Sequence, residues 1–336
     1  MSWTMESVDP HSEQWDQLLT NSEHLLFHEA IWSEVVREGV SSRVVAILFK
    51  EDGVPKSGAV GFLLGGYGIN IAYFNFPYGG IIGSPPPSES LKKLLSDFAK
   101  QYSVCQIQFV GFPGAPAVIS EDFEFARDTT HVLELNGVTP ESLWEGYRRS
   151  RRQDIRKARE RGITVEETSD MSDVDMVHDF YLQTMARTGG LARYKKSLLR
   201  AIVSKLGPKT RAHMYIAKMQ GTPIAGMLLV DSKHLSHGLL MASSDDGLKH
   251  QPNKLMLHTA AERCTLKGLA GLDYMPSGQS ASGVTNFKNL WGANEVKLRH
   301  ATVVTKKYRA MAWRTAFAIA KKQPFRSILS MLRRMS

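Results

Sequence analysis

Phe287 and Lys288 lie in a run rich in glycine, serine and asparagine, Ser277 to Asn294, which closes on a Trp291-Gly292 turn. A strand-like run, Gly271 to Met275, precedes it, and Glu295 to Val304 reads as another strand. The pattern predicts a loop that presents Lys288 between two core strands. An ammonium held there can meet negative charge that develops on a bound group, as when an attacked carbonyl becomes an oxyanion in acyl transfer. Asp273, at the end of the first strand, can orient an attacking amine or take its proton. The plain alternatives are a surface lysine and a turn-capping aspartate. Phe287 reads as the packing residue that fixes the loop and as part of the substrate-binding surface.

A second concentration of chemistry runs from Arg148 to Arg161, with eight basic and two acidic residues. Guanidinium groups present a fork that matches phosphate, so Arg152, Arg156 and Lys157 are candidate contacts to a phosphate or pyrophosphate. A solvated helix face is the alternative. Tyr78-Gly79-Gly80 supplies a third candidate, because glycine lets backbone amides approach a bound molecule closely. Strand-borne histidines such as His213 and His237 are scattered and lack a G-x-S-x-G partner, which argues against a hydrolase triad. No Walker loop, G-x-G-x-x-G or Cys/His metal cluster occurs, so no metal site is expected. Cys105 and Cys264 each sit in an apolar periodic run and read as buried thiols, not as a disulfide.

These groups need elements to hold them. In the first half, helices are expected over roughly 13–20 and 28–38, strands over 42–50, 59–64 and 69–76, a helix over 91–102 capped by Ser88, and a strand over 104–110. The second half is expected to repeat the vocabulary. A strand covers 130–135. A helix starts at Thr139-Pro140-Glu141 and runs to Arg161, closed by Gly162. A strand at 163–167, helices over 172–186 and 195–206, and strands over 211–218, 224–231 and 235–243 follow. A helix over 254–267 leads to the two strands that flank Lys288. Each half reads as helices, antiparallel strands, a helix packed on the sheet and a further strand, an α/β or α+β pattern with mixed sheets.

The length of 336 residues suits two domains. With 43% hydrophobic and 22% charged residues, the composition is that of a folded soluble protein. Neither a run of 18 apolar residues nor a basic-then-apolar leader is present, so a cytoplasmic protein is expected. The net charge of +9 equals the nine basic residues of 306–336, a segment with no acidic residue. Phe325, Ile328, Leu329 and Leu332 recur there at helical spacing. The tail therefore reads as a basic amphipathic helix that lies on an anionic membrane surface or docks on the second domain. The expected division is 1–129, 130–305 and the tail 306–336.

Several of these motifs together resemble a family. Arg152-Gln153-Asp154-Ile155-Arg156-Lys157-Ala158, continued to Gly162-Ile163, is similar to the R-x-x-I-R-K-A stretch of the Fem-type (FemAB-like) aminoacyl and acyl transferases. Gly221 to Gly226 looks like the family's turn and core strand, and Asp273 through Phe287-Lys288-Asn289-Leu290-Trp291-Gly292 like its D…F-K-x-x-[FW]-G signature. Pro77-Tyr78-Gly79-Gly80 is similar to its P-x-x-Y-G-G segment, and His28 to Trp32 to its first helix. The resemblance covers about residues 25 to 304.

It implies two tandem GNAT-like domains and transfer of an acyl group to an amine. No bound cofactor is implied. The donor is aminoacyl-tRNA or acyl-CoA, and the acceptor is a nucleotide- or lipid-linked cell-envelope precursor of peptidoglycan or polysaccharide. Arg152, Arg156 and Lys157 would then contact the substrate or tRNA, with Lys288 and Asp273 at the reaction centre. Location would be cytoplasmic, peripheral to the inner face of the membrane. Peptidoglycan-type members usually carry a long helical arm in the second domain, and no long heptad pattern marks one here. Met275-Pro276-Ser277 also stands where several relatives have Gly-Arg-Ser, removing an arginine from that spot. Two alternatives stay open: an acyl-CoA-dependent N-acyltransferase acting on an amino sugar of an exopolysaccharide, and a non-catalytic RNA- or membrane-binding scaffold.

Overall fold

The computed structural model describes residues 2–66, 69–74, 76–113, 115, 124–190, 192–276 and 282–320. The chain forms two units, Met1–Asp128 with Lys297–Ser336, and Thr129–Val296. The stretch 297–305, grouped with the second half on sequence, thus belongs to unit 1.

Unit 1 begins with β1 (Trp3–Val8), α1 (Glu13–Thr20), a 3-10 turn (Leu26–His28), α2 (Ala30–Val40), β2 (Arg43–Glu51), β3 (Val54–Gly66), β4 (Ile69–Phe74) and the short β5 (Ile82–Gly83). Helix α3 (Ser88–Gln101) and β6 (Val104–Val110) complete its first stretch. Strands β1 to β4 form an antiparallel meander, and α3 carries the chain over so that β6 pairs parallel with β4. Val45, Ile47, Phe49, Phe74 and Phe109 from the sheet meet Leu91, Leu95 and Phe98 of α3 in one core. The apolar spacing of α3, three and four residues apart, produces that contact. Strand β1 lies in a segment that reads as polar. Its exposure alternates and it pairs at the sheet edge, so half of it needs no apolar residues.

Unit 2 repeats the plan. Strand β7 (Glu124–Glu134) enters it, followed by α4 (Pro140–Gly146), α5 (Arg149–Glu160), β8 (Ile163–Thr168), α6 (Met171–Thr188) and α7 (Lys196–Leu206). Then come β9 (Ala212–Met219), β10 (Thr222–Asp231), β11 (Leu235–Ser243), α8 (Asp245–Leu248), α9 (Asn253–Leu266), β12 (Gly271–Asp273) and α10 (Ser282–Asn289). The strand order is β7-β12-β11-β10-β9-β8. Strands β8 to β11 are antiparallel, and α9 returns the chain so that β12 runs parallel to β11. Gly226 on β10 permits the approach of α6, since a Cβ there would stand 2.1 Å from Val177 Cγ2. Strand β13 (Asn294–Val304) then returns to pair antiparallel with β6, and α11 (Lys307–Ala320) seats Ala310 against Ile71 and Cys105 of unit 1.

Four further expectations change. The helix expected over 91–102 with Ser88 as its cap starts at Ser88 itself, and Pro87 occupies the cap position. The single helix expected from Thr139 to Arg161 is two, because Tyr147 turns extended (ψ 139°) after Gly146 and plugs the core. Thr139 and Pro140 do start α4, with the Thr139 hydroxyl accepting the Ser142 N–H. The loop expected around Phe287-Lys288 is the helix α10. Strand β12 stops at Asp273, two residues before Met275. Residues 277–281 and the tail positions Phe325, Ile328, Leu329 and Leu332 lie outside the described residues.

Candidate active site

Strands β11 and β12 pair only from Leu235 to His237 and from Gly271 to Asp273. Beyond that point β11 continues to Ser243 beside β10, with no strand on its other side among the described residues. The sheet of unit 2 therefore opens at the carboxyl end of β12, where its parallel neighbour β11 runs on; open α/β sheets bind ligands beyond the carboxyl ends of their strands.

Asp273 and Lys288 meet at this opening through a third residue. Met275 has a left-handed backbone, φ 62°. Its N–H donates to Asp273 Oδ1 at 2.9 Å, and its carbonyl accepts a hydrogen bond from Lys288 Nζ. A non-glycine residue holds that conformation only when its surroundings over-determine it. Here a carboxylate and an ammonium grip the two polar atoms of one residue. Both side chains are buried. Lys288 reaches inward because α10 packs by Phe287 against Trp291, ring centroids 6.3 Å apart, and Trp291 is buried in the core of unit 2. Phe287 is thus a packing residue.

The Asp273 carboxylate is held by more than Met275. Thr130 Oγ1 donates to Oδ1 at 2.6 Å, and His237 Nδ1 donates to Oδ2 at 2.9 Å. His237 Nε2 in turn lies 2.9 Å from Ser232 Oγ. The histidines read as scattered in the sequence, yet one of them is part of a network: Ser232, His237 and Asp273 form a buried hydrogen-bonded chain. The β10–β11 hairpin brings it together, since Val230 pairs with His237 and the Ser232 N–H donates to the Leu235 carbonyl. The cue in the sequence was the short Ser232-to-His237 hairpin, not a nucleophile motif. Asp273, whose oxygens accept these three donors, is a structural anchor of the site more than a free base.

His131 lies beside the pair. Its carbonyl accepts from the Tyr274 N–H, and its ring is buried with neither nitrogen hydrogen-bonded. Burial first, and then the Lys288 charge, lower its pKa below 6.5, so the imidazole is neutral at pH 7.

The basic helix divides. Arg151 pairs with Asp154 at 3.0 Å, and Arg152 donates to the Glu145 carbonyl at 2.9 Å, closing the end of α4. Arg156 and Lys157 are exposed, and the Arg156 and Arg159 guanidiniums stand 5.7 and 6.0 Å over the Trp144 ring. Trp144, Tyr147 and Trp291 continue as neighbouring rings, 6.4 and 5.4 Å apart, toward Phe287. In unit 1, Tyr78 is buried, the Gly79 N–H donates to Val110 and the Gly80 N–H to Phe74. Those amides are spent on the protein. Gly80 has φ 91°, which favours glycine at this turn. Among the described residues no group of His, Cys, Asp and Glu could hold a metal.

Comparison with known proteins defines the class. Residues 146–289 match the acetyltransferase (GNAT) domain family. Residues 146–289 thus carry a GNAT acetyltransferase domain, and the two units of the chain have a fold similar to that of tandem GNAT proteins. Its fold is similar to that of FemX, with a TM-score of 0.63 at 16% identity over 91% of this chain and 99% of that one. A tandem GNAT protein from the clavulanic acid biosynthesis pathway is also similar (TM-score 0.59, 9% identity, 90% and 99% coverage). So is L-PGS from Bacillus licheniformis (TM-score 0.53, 12% identity, 94% and 98% coverage). No curated protein matches the sequence.

Proposed function

We propose that the chain transfers an aminoacyl or acyl group from an activated donor to an amine of a cell-envelope precursor, with unit 2 as the reacting unit. The observation that carries this is the buried Lys288 ammonium, fixed at the open end of the β11–β12 pair. The amine nitrogen attacks the donor carbonyl and forms the new C–N bond. The tetrahedral oxyanion collapses, the ester C–O or thioester C–S bond breaks, and the departing oxygen or sulfur leaves with the proton lost by the amine. A fixed ammonium in a site of low dielectric stabilises the oxyanion. Asp273 orients the Met275 peptide against Lys288.

The donor is aminoacyl-tRNA or acyl-CoA. Arg156 and Lys157, exposed on α5, supply phosphate contacts for either. The fold likeness to FemX and L-PGS supports the first donor and a nucleotide- or lipid-linked acceptor. The acetyltransferase match and the tandem GNAT likeness support acyl-CoA, with an amino sugar of a polysaccharide as acceptor. Helix α11 shows Tyr308 and Met311 to solvent beside exposed Lys307, and 306–336 has no acidic residue. Such a face suits an anionic membrane and a lipid-linked acceptor at the cytoplasmic surface. No described helix is long and apolar enough to cross a membrane.

Titration with bulk aminoacyl-tRNA and, separately, acetyl-CoA at one moderate salt concentration tests the reading. Binding of one donor, weakened by joint Arg156→Ala and Lys157→Ala substitution, is expected. Binding of neither donor would defeat it.

A further inference from the structure

The strain at Met275 needs a holder, and that holder extends beyond Asp273. We propose that His237, seated on Ser232, is a positioning residue of the active site: it fixes the Asp273 carboxylate so that Met275 keeps its left-handed turn and Lys288 keeps its place. This rests on the reading of Lys288 as the charged group of the reaction.

The chain of contacts is continuous. The hairpin fixes Ser232 through its N–H to the Leu235 carbonyl, and Ser232 Oγ lies 2.9 Å from His237 Nε2. A carboxylate accepts only, so His237 must carry its proton on Nδ1, 2.9 Å from Asp273 Oδ2. In the neutral ring Nε2 is then an acceptor, and the Ser232 hydroxyl donates to it. The serine thereby selects the tautomer that Asp273 requires. His237 and Asp273 are both 0% exposed, so water cannot substitute for either partner. A buried carboxylate that loses a donor turns toward another. Asp273 Oδ1 would then leave the Met275 N–H, the strained turn would relax, and the carbonyl that receives Lys288 would move. None of these steps asks His237 or Ser232 to touch substrate.

Two substitutions separate this role from simple packing. Asparagine places an amide N–H where the imidazole has Nδ1–H, and so keeps the bond to Asp273. Glutamine places its amide near Nε2 and leaves Oδ2 without that donor. The readout is the rate at which Lys288 in the full-length protein reacts with an amine-reactive acylating reagent, followed by mass spectrometry against surface lysines as internal standards. It needs no donor or acceptor, so it is independent of the donor titration above.

His237→Gln is expected to raise the Lys288 rate at least tenfold. His237→Asn should stay within threefold of the parent protein, and Ser232→Ala should rise about threefold to fivefold. With whichever donor binds, His237→Gln should lower kcat with KM within twofold, and His237→Asn should restore it. An unchanged Lys288 rate in folded His237→Gln overturns the proposal, as does an equal rise in His237→Gln and His237→Asn. If His237→Gln does not fold, Ser232→Ala decides: an unchanged Lys288 rate there overturns the proposal.

Discussion

His28 makes unit 1 sensitive to acid by an amount that the structure specifies. The ring is fully buried. Its Nε2 donates to the Gly79 carbonyl at 3.2 Å, and its Nδ1 accepts the Leu25 N–H at 3.1 Å. Burial pulls its pKa from 6.5 down to about 4. The unfolded chain therefore binds a proton at His28 at higher pH than the folded one, and stability falls as pH drops from 6.5 toward 4. The full effect is about 3 kcal/mol, and about 2 kcal/mol of it is already lost at pH 5. His28→Gln removes the titration and keeps an amide donor in reach of Gly79. It gives up the Leu25 contact, at a cost of about 1 kcal/mol at pH 7. The measurement is urea unfolding of both proteins at pH 7, 6 and 5, with amide exchange at Gly79 and Gly80 reporting unit 1 alone. Other titrating groups cancel in the difference between the two proteins. The advantage of the parent should shrink by about 2 kcal/mol from pH 7 to pH 5 and change sign. A difference that stays flat over that range would refute the argument that burial holds His28 neutral.

Five further outcomes follow from the geometry. Gly226→Ala should destabilise unit 2 by about 1–3 kcal/mol in urea unfolding, because the added methyl drives Val177, and α6 with it, off β10; a neutral effect would mean that the helix contact is loose. Lys288→Met should lower kcat by about 10²–10³ with donor affinity nearly unchanged, and full activity in that variant would remove Lys288 from the chemistry. Arg156→Ala with Lys157→Ala should reduce the salt dependence of donor binding by about one to two in log–log slope. Arg152→Ala, which uncaps α4, should instead cost about 1 kcal/mol of stability and leave the slope alone. Tyr147→Phe should stabilise unit 2 by about 1 kcal/mol, since its buried hydroxyl has no partner; a loss of stability on calorimetry would show that the hydroxyl is satisfied.

Elements with strong periodicity were legible in the sequence. Helix α7 lies where its apolar pattern put it, within a residue at each end. The break between α4 and α5 was not legible. Trp144, Tyr147, Arg151 and Ile155 fit one continuous helical face, and only packing shows that Tyr147 gains more by entering the core between Trp144 and Trp291 than by staying helical. Helix α10 was hidden for the opposite reason. Its Ser, Gly, Thr and Asn residues are poor helix formers, and the segment is held helical by Phe287 and Trp291 on the core of unit 2.

The site was legible as residue types but not as roles. Asp273 and Lys288 stand out beside a strand end, yet neither residue reveals that both grip Met275, because that depends on a left-handed turn no propensity assigns to methionine. The basic helix shows the same limit. Eight cations in fourteen residues read as one phosphate surface, but Arg151 and Arg152 are consumed inside the unit, one by a carboxylate and one by backbone carbonyls. Charge counts cannot separate such uses, since both need a guanidinium fork. Ser232 and His237 lie on the other side of the same problem. A search for catalytic signatures passes over them, because their hydrogen bonds are made across a hairpin and a parallel strand pair. What brings Ser232, His237, Asp273 and Met275 into one chain is the register of β10, β11 and β12. A one-residue slip of β12 would turn Asp273 to the opposite face of the sheet and break it.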